Sequence, residues 1–366
     1  MKAKVILATI LILAASCVKN EVREVSIHGD GQILYNPAPL RPMTTKAGVN
    51  PTPFPTDATF GSCAWYLPGD NKWDDHHAAV ETATVVPTLY IPTSKISCQN
   101  NQWKVWEPSE VSYYWPMNGS LTFISWAPAN LLDKVDDSNN KLNSVTREEG
   151  FKITNWKMEN TPGYGVVVTT TSEGSVVTTD PDVDILLSYT KDCTQNTANG
   201  KVTTVFSHLL CKVKVEARLA NENVETKVIE SVTLTNIYTK SDYVAGKWTN
   251  QSACQNYVYT RTGGTSMPAK DPTKKVIFPE TMFLPQYLSK DAIRADRPKI
   301  SIKLQGSETP IEGYLWNDKL LNSLSVWDQG KSITYAITIG NETVDIDFSA
   351  SAGGWEYDSS NSVTVQ

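Results

Sequence analysis

The sequence predicts an all-β protein made of antiparallel sandwiches, and three observations carry that prediction. Apolar and polar residues alternate with a period of two in many short segments, which buries one face of a strand and wets the other. Gly, Pro and Asn punctuate those segments as turns. Thr, Ser, Asn, Val, Tyr and Trp are abundant, while long Leu/Ala/Glu-rich stretches that would favour helices are scarce. At 366 residues the chain exceeds what one compact core accommodates and is expected to form two domains.

The first residues predict export. Lys2 and Lys4 precede an apolar run from Val5 to Ala14, too short to span a bilayer. Leu13-Ala14-Ala15-Ser16-Cys17 then places a cysteine directly after small residues, the acceptor pattern of a bacterial lipoprotein signal. Residues 1–16 are thus expected to be a lipoprotein signal peptide. Cys17 is expected to be the lipid attachment site, tethering the exported protein to a membrane through several acyl chains where one would hold only weakly.

Farther along, the segment from Pro37 to Pro55 holds prolines at 37, 39, 42, 51, 53 and 55 and is expected to be a linker or edge region. Trp65, Trp73, Trp103, Trp106, Trp115 and Trp126 cluster in the first half, most of them expected as core fillers. Leu209, Cys211, Val213, Val215 and Ala217 alternate with Lys212, Lys214, Glu216 and Arg218, so the first set is expected inside and Lys212 and Lys214 exposed. Val228, Val232 and Leu234 form a second such strand, and Ile300, Ile302 and Leu304 a third. Ile333, Tyr335, Ile337 and Ile339 lead through a Gly340-Asn341 turn to Val344, Ile346 and Phe348. Only short stretches such as Ser289 to Asp296 are expected to be helical.

Several function classes drop out. The formal charge of −6 argues against nucleic acid as a partner, which would select a basic patch. Besides Cys17, five cysteines (Cys63, Cys98, Cys193, Cys211 and Cys254) allow at most two disulfides, with no pairing legible from spacing, and none lies in a C-x-x-C pair that would suggest zinc. Asp74-Asp75-His76-His77 offers metal-capable groups, but neighbours on a strand face opposite ways, so a polar loop is expected rather than a metal site. Asp180, Asp182 and Asp184 open like a calcium loop, yet Ile185 stands where glycine is required and Lys191 where the closing glutamate should be. His208 is expected to be a half-buried strand histidine hydrogen-bonded to a neighbour. No G-x-S-x-G elbow, H-E-x-x-H pair or phosphate-cradling glycine loop is present, so the chain is read as a non-enzyme with no cofactor and no metal.

Fragments spread over most of the length resemble the fimbrillin family, the subunits of donor-strand pili of Gram-negative anaerobes, and its Mfa-like branch in particular. Tyr113-Tyr114-Trp115-Pro116, followed by Gly119-Ser120-Leu121-Thr122-Phe123 and Ala127-Pro128, is similar to one family stretch. Phe206-Ser207-His208-Leu209-Leu210-Cys211-Lys212-Val213, with Asp184-Ile185-Leu186 before it, resembles another. Pro285-Gln286, Gly330-Lys331-Ser332-Ile333-Thr334-Tyr335 and Ile346-Asp347-Phe348 with Trp355 resemble the C-terminal pattern.

The resemblance implies two tandem transthyretin-like β-sandwiches, here placed at residues 47–220 and 221–366. It also implies a lipidated pro-segment, residues 17–46, whose strand is removed by a trypsin-like protease so that a neighbouring subunit's strand takes its place. Val25 to Tyr35 is the candidate removable strand, with Val25, Ile27, Ile33 and Tyr35 as its apolar residues. Lys46-Ala47 resembles the family's processing junction, with lysine where arginine is usual. Val363 and Val365 are the candidate C-terminal donor, a thin one, so stalk and tip or accessory positions both stay open. Implied partners are other fimbrial subunits, the outer membrane through the lipid, and a host receptor or glycan. A stand-alone glycan-binding surface lipoprotein is the alternative, and it would need exposed aromatic rings flanked by polar groups.

Overall fold

A computed structural model describes residues 31–38, 54–107, 111–134, 138–158, 167–171, 174–178, 184–221, 223–289, 291, 296–316, 324–340 and 347–354. Cys17, Val25, Ile27, Lys46, Ala47, Val344, Ile346, Val363, Val365 and most of the Ser289–Asp296 stretch lie outside the described residues. The first strands are β1 (Leu34–Pro37), β2 (Thr59–Leu67), β3 (Thr88–Gln99), β4 (Gln102–Glu107), β5 (Ser120–Ala127), β6 (Asn143–Thr146) and β7 (Gly150–Lys157). They are followed by β8 (Val167–Thr171), β9 (Gly174–Thr178), β10 (Leu186–Cys193), β11 (Lys201–Thr204), β12 (Ser207–His208), β13 (Cys211–Leu219), β14 (Lys227–Val244) and β15 (Lys247–Met267). The last are β16 (Lys275–Phe283), β17 (Gln286–Tyr287), β18 (Lys299–Leu304), β19 (Ile311–Tyr314), β20 (Val326–Trp327), β21 (Lys331–Ile339) and β22 (Asp347–Gly354). One helical turn, Trp73–His76, is α1.

The protein is all-β, and most of its strand pairs are antiparallel. One eight-stranded sheet runs β11-β1-β4-β3-β2-β5-β10-β12. A second, four-stranded sheet runs β16-β13-β21-β22, and a third runs β19-β18-β14-β15-β9-β8. Among the described residues two strand pairs are parallel: β1 with β11 and β13 with β21. Strands β7 and β9, from before residue 220, hydrogen-bond to β14 and β15, from after it.

Three clusters of buried side chains hold these sheets. Cys211, Val213, Val215 and Ala217 of β13 and Ile333, Tyr335, Ile337 and Ile339 of β21 pack against Val232, Leu234, Ile300 and Ile302 of the facing sheet. Period-two alternation thus becomes a dry layer between two sheets, each fully buried Val, Ile or Leu contributing about 1.5–3 kcal/mol. Lys212 and Lys214 are half-buried rather than exposed. Lys212 Nζ lies 2.9 Å from Glu280 Oε1 and Lys214 Nζ lies 2.8 Å from Glu216 Oε1, so their stems cover the face of the sheet opposite the core while the charges pair above it.

In β14 the inward residue is Ile229, not Val228. The register slips between Ile229 and Ser231, and again between Leu234 and Ile237, where Asn236 has φ 59°. Each bulge inserts a residue and inverts the alternation.

Strands β2 and β5 are buried on both faces. Phe60, Ala64, Leu121 and Phe123 face one core cluster, while Cys63, Trp65, Ile124 and Trp126 face another. Between β2 and β5 the buried Ser62 and Ser125 hydroxyls hydrogen-bond at 2.9 Å. Gly61 is required where it stands, because a Cβ there would penetrate the Trp126 indole well inside van der Waals contact. Gly61→Ala is expected to cost about 1–3 kcal/mol by overpacking, read as a lower urea midpoint at unchanged slope.

The proline-rich stretch is not simply a linker at its ends. Pro37 belongs to β1, and Ala38 and Phe54 are buried. Cys63, Cys193 and Cys211 are buried unbridged thiols, and Cys98 is a half-buried one. Burial pushes the Cys193 thiol up to about 11. No helix among the described residues is long and apolar enough to cross a membrane.

Candidate functional site around the first strand

Strand β1 is inserted between two others and held on both sides. Tyr35 pairs with Trp103 of antiparallel β4, and Leu34 to Pro37 pair in register with Lys201 to Thr204 of parallel β11. Hydrogen bonds continue beyond the strand at each end. Ile33 N donates to Tyr113 O at 2.7 Å, Trp115 N donates to Gly31 O at 3.0 Å, and Ala38 N donates to Thr204 O at 2.8 Å. Gln32 bridges to Tyr114, and its amide donates to Ser112 Oγ at 3.0 Å. Among the described residues β11 has no ladder partner other than β1. Taking β1 away therefore bares two edges at once, that of β4 and that of β11.

The side chains make the same point about packing. Ile33 and Tyr35 are 3% and 2% exposed. The Tyr35 ring meets Phe60 edge-on at 5.6 Å and Phe123 at 5.8 Å. Burial in this aromatic nest raises the Tyr35 phenol above its ordinary pKa, so it stays neutral. Val105, Val202 and Phe206 complete the walls. After residues 39–53 the chain re-enters the same core at Phe54, which stacks on Phe206 at 5.2 Å and meets Trp103 edge-on at 5.5 Å. Tyr35 and Phe54, on either side of Lys46 in the sequence, thus belong to one aromatic cluster.

Of the residues assigned to the removable strand, Ile33 and Tyr35 sit in this groove; Val25 and Ile27 lie outside the described residues. Residues the sequence did not assign to the site are Phe54, Val202, Phe206 and the Tyr113–Trp115 segment. Phe206 and Tyr113–Trp115 stood in the family-like motifs, but nothing local tells that they meet β1.

The other singled-out residues fall elsewhere. His208 is buried rather than half-buried, and its Nδ1 and Asp184 Oδ2 form a hydrogen bond of 2.8 Å that ties β12 to the start of β10, where His208 pairs with Leu186. Asp74 and Asp75 belong to the helical turn α1 rather than to a strand or loop. Asp74 takes the Lys191 ammonium at 2.6 Å, and His77 stacks on Trp73. Trp65, Trp73, Trp115 and Trp126 are buried, Trp103 packs against the core, and Trp106 is 39% exposed. These six indoles do not present an exposed aromatic platform.

The Fimbrillin-like family model matches residues 70–355. A fimbrial protein from Bacteroides vulgatus is 17% identical and superposes with a TM-score of 0.52, covering 81% of this chain and 92% of that one. The tip fimbrial protein Mfa3 from Porphyromonas gingivalis is 10% identical with a TM-score of 0.40, covering 88% and 99%. A cell adhesion protein from Bacteroides uniformis, described as putative, is 15% identical with a TM-score of 0.43, covering 89% and 100%. No curated protein sequence matches the chain.

Proposed function

The chain belongs to the Fimbrillin-like family, and from that membership we propose that it is a structural or adhesive subunit of a cell-surface fimbrium, exported as a lipoprotein through Cys17 and assembled by strand exchange. The observation that carries this reading is the setting of β1. It is the earliest strand described, it fills a slot between β4 and β11, and Ile33 and Tyr35 occupy core positions there. A cut after Lys46 separates β1 from every later strand. The slot left behind would offer two unpaired ladders and at least two empty core sites, which is the geometry of β-augmentation. Refilling each apolar site contributes about 1.5–3 kcal/mol, and the backbone ladder fixes register. In this reading the subunit's partners are other fimbrial subunits, and the two sandwiches are transthyretin-like.

The test uses purified full-length precursor and a lysine-specific endoprotease. Cleavage after Lys46 is expected to release the β1 segment and yield ladders that survive mild denaturant, and Lys46→Ala is expected to abolish both. Clean cleavage that leaves a stable monomer would remove strand exchange as the mechanism.

A further inference from the structure

A second concave site lies in the other half of the molecule, where the β14–β15 turn faces a two-stranded antiparallel ribbon formed by β17 and β20. It encloses about 530 Å³, within the range of small-ligand clefts of roughly 300–1,000 Å³. Its floor is rigid. The buried Gln286 accepts from Tyr238 N through Oε1 at 3.0 Å and donates from Nε2 to Leu284 O at 3.0 Å. Trp248 Nε1 donates to Leu209 O at 2.6 Å, which fixes the half-exposed indole against the wall. Gln251 donates to Pro285 O, and Tyr238 Oη donates its one proton to the Asp291 carboxylate, whose two oxygens lie 2.6 and 2.7 Å away. At the rim stand Tyr287, 70% exposed, and the exposed Asp328.

We propose that this cleft binds a neutral oligosaccharide. A sugar ring presents an apolar C–H face and a fringe of hydroxyls that each donate and accept. Trp248 and Tyr287 supply flat faces for the first, and the carboxylates of Asp291 and Asp328 with the amides of Asn250 and Gln329 supply partners for the second. Two carboxylates against the single ammonium of Lys247 oppose anionic ligands such as sialylated or sulfated glycans. A lipid chain would find no continuous apolar wall among so many polar groups. The hydrogen bonds that pin Trp248, Gln251 and Gln286 reduce the ordering cost of binding. The proposal goes beyond strand exchange and does not rest on it.

The full chain is titrated calorimetrically with lactose, N-acetyllactosamine, cellobiose and maltotriose, with sialyllactose as the anionic control. Saturable binding of at least one neutral sugar is expected, with sialyllactose weaker than lactose. Tyr287→Ala should weaken binding by about ten-fold; Asp328→Asn should weaken it too. Both side chains are exposed, so circular dichroism and the unfolding midpoint should stay unchanged. No binding by any neutral sugar, unchanged affinity in both variants, or sialyllactose binding as tightly as lactose would each overturn the proposal. Neither variant touches β1, so cleavage-triggered assembly should be unaffected and the two readings fail separately.

Discussion

Truncating Trp327 to alanine is expected to lower the folding free energy by about 3–5 kcal/mol, the cost of emptying a large aromatic site in a core. Trp327 is 0% exposed and lies against Phe283 at 5.3 Å, which in turn meets Tyr257 edge-on at 4.9 Å. The side chain also has a polar tie, since its Nε1 donates to Tyr335 Oη at 2.9 Å, likewise fully buried. Burial holds the Tyr335 phenol well above its ordinary pKa, so the hydroxyl is present as an acceptor through the neutral range. Tyr335→Phe is therefore expected to cost about 1–3 kcal/mol by stranding the indole N–H. In Trp327→Phe the same change should cost much less, because no donor is left behind. Urea denaturation of the four proteins measures the coupling, and equal costs of Tyr335→Phe in both backgrounds would show that the hydrogen bond contributes nothing.

What could be read in the sequence follows from how local each feature is. The β21 run, Ile333 to Ile339, and the β13 run, Cys211 to Ala217, sit at the face of a two-sheet sandwich, so period two is printed directly on them. Strand β5 is different. Its eight residues are all buried, and Ser120, Thr122 and Ser125 look outward-facing in a list but lie within the protein. In β14 the alternation is present but inverted by bulges, and nothing in Ile229-Glu230-Ser231 announces the extra residue. The helical turn at Trp73–His76 is too short to print a period on the sequence, and the half-burial of Lys212 depends on Glu280, which comes from a strand far along the chain.

The site divides in the same way. The alternation through Ile33 and Tyr35 is a property of a few adjacent residues. Their surroundings come from positions up to 206, and the parallel pairing with β11 joins segments more than 160 residues apart, Leu34 with Lys201. The proline-rich composition of residues 37–55 suggested a segment outside the core. Composition could not reveal that Phe54, between two prolines, returns to the aromatic cluster that holds β1.

Tyr35→Ala puts the role of that cluster to its strictest test, because its effect should depend on the state of the protein. In the uncut precursor Tyr35 is 2% exposed and packs on Phe60 and Phe123, so the truncation is expected to cost about 3–5 kcal/mol. The loss falls on β1, whose departure leaves β11 without its ladder, and protease cleavage of the mutant precursor should become faster accordingly. If β1 is a placeholder, it is gone from the assembled fibre, and the variant's fibre should be as resistant to denaturant as that of the parent. If instead β1 is a permanent strand, the same substitution destabilises every state alike. Denaturant midpoints of precursor and assembled material, measured side by side for parent and Tyr35→Ala, separate the two. A penalty of equal size in both states would make β1 an ordinary core strand and end the strand-exchange reading.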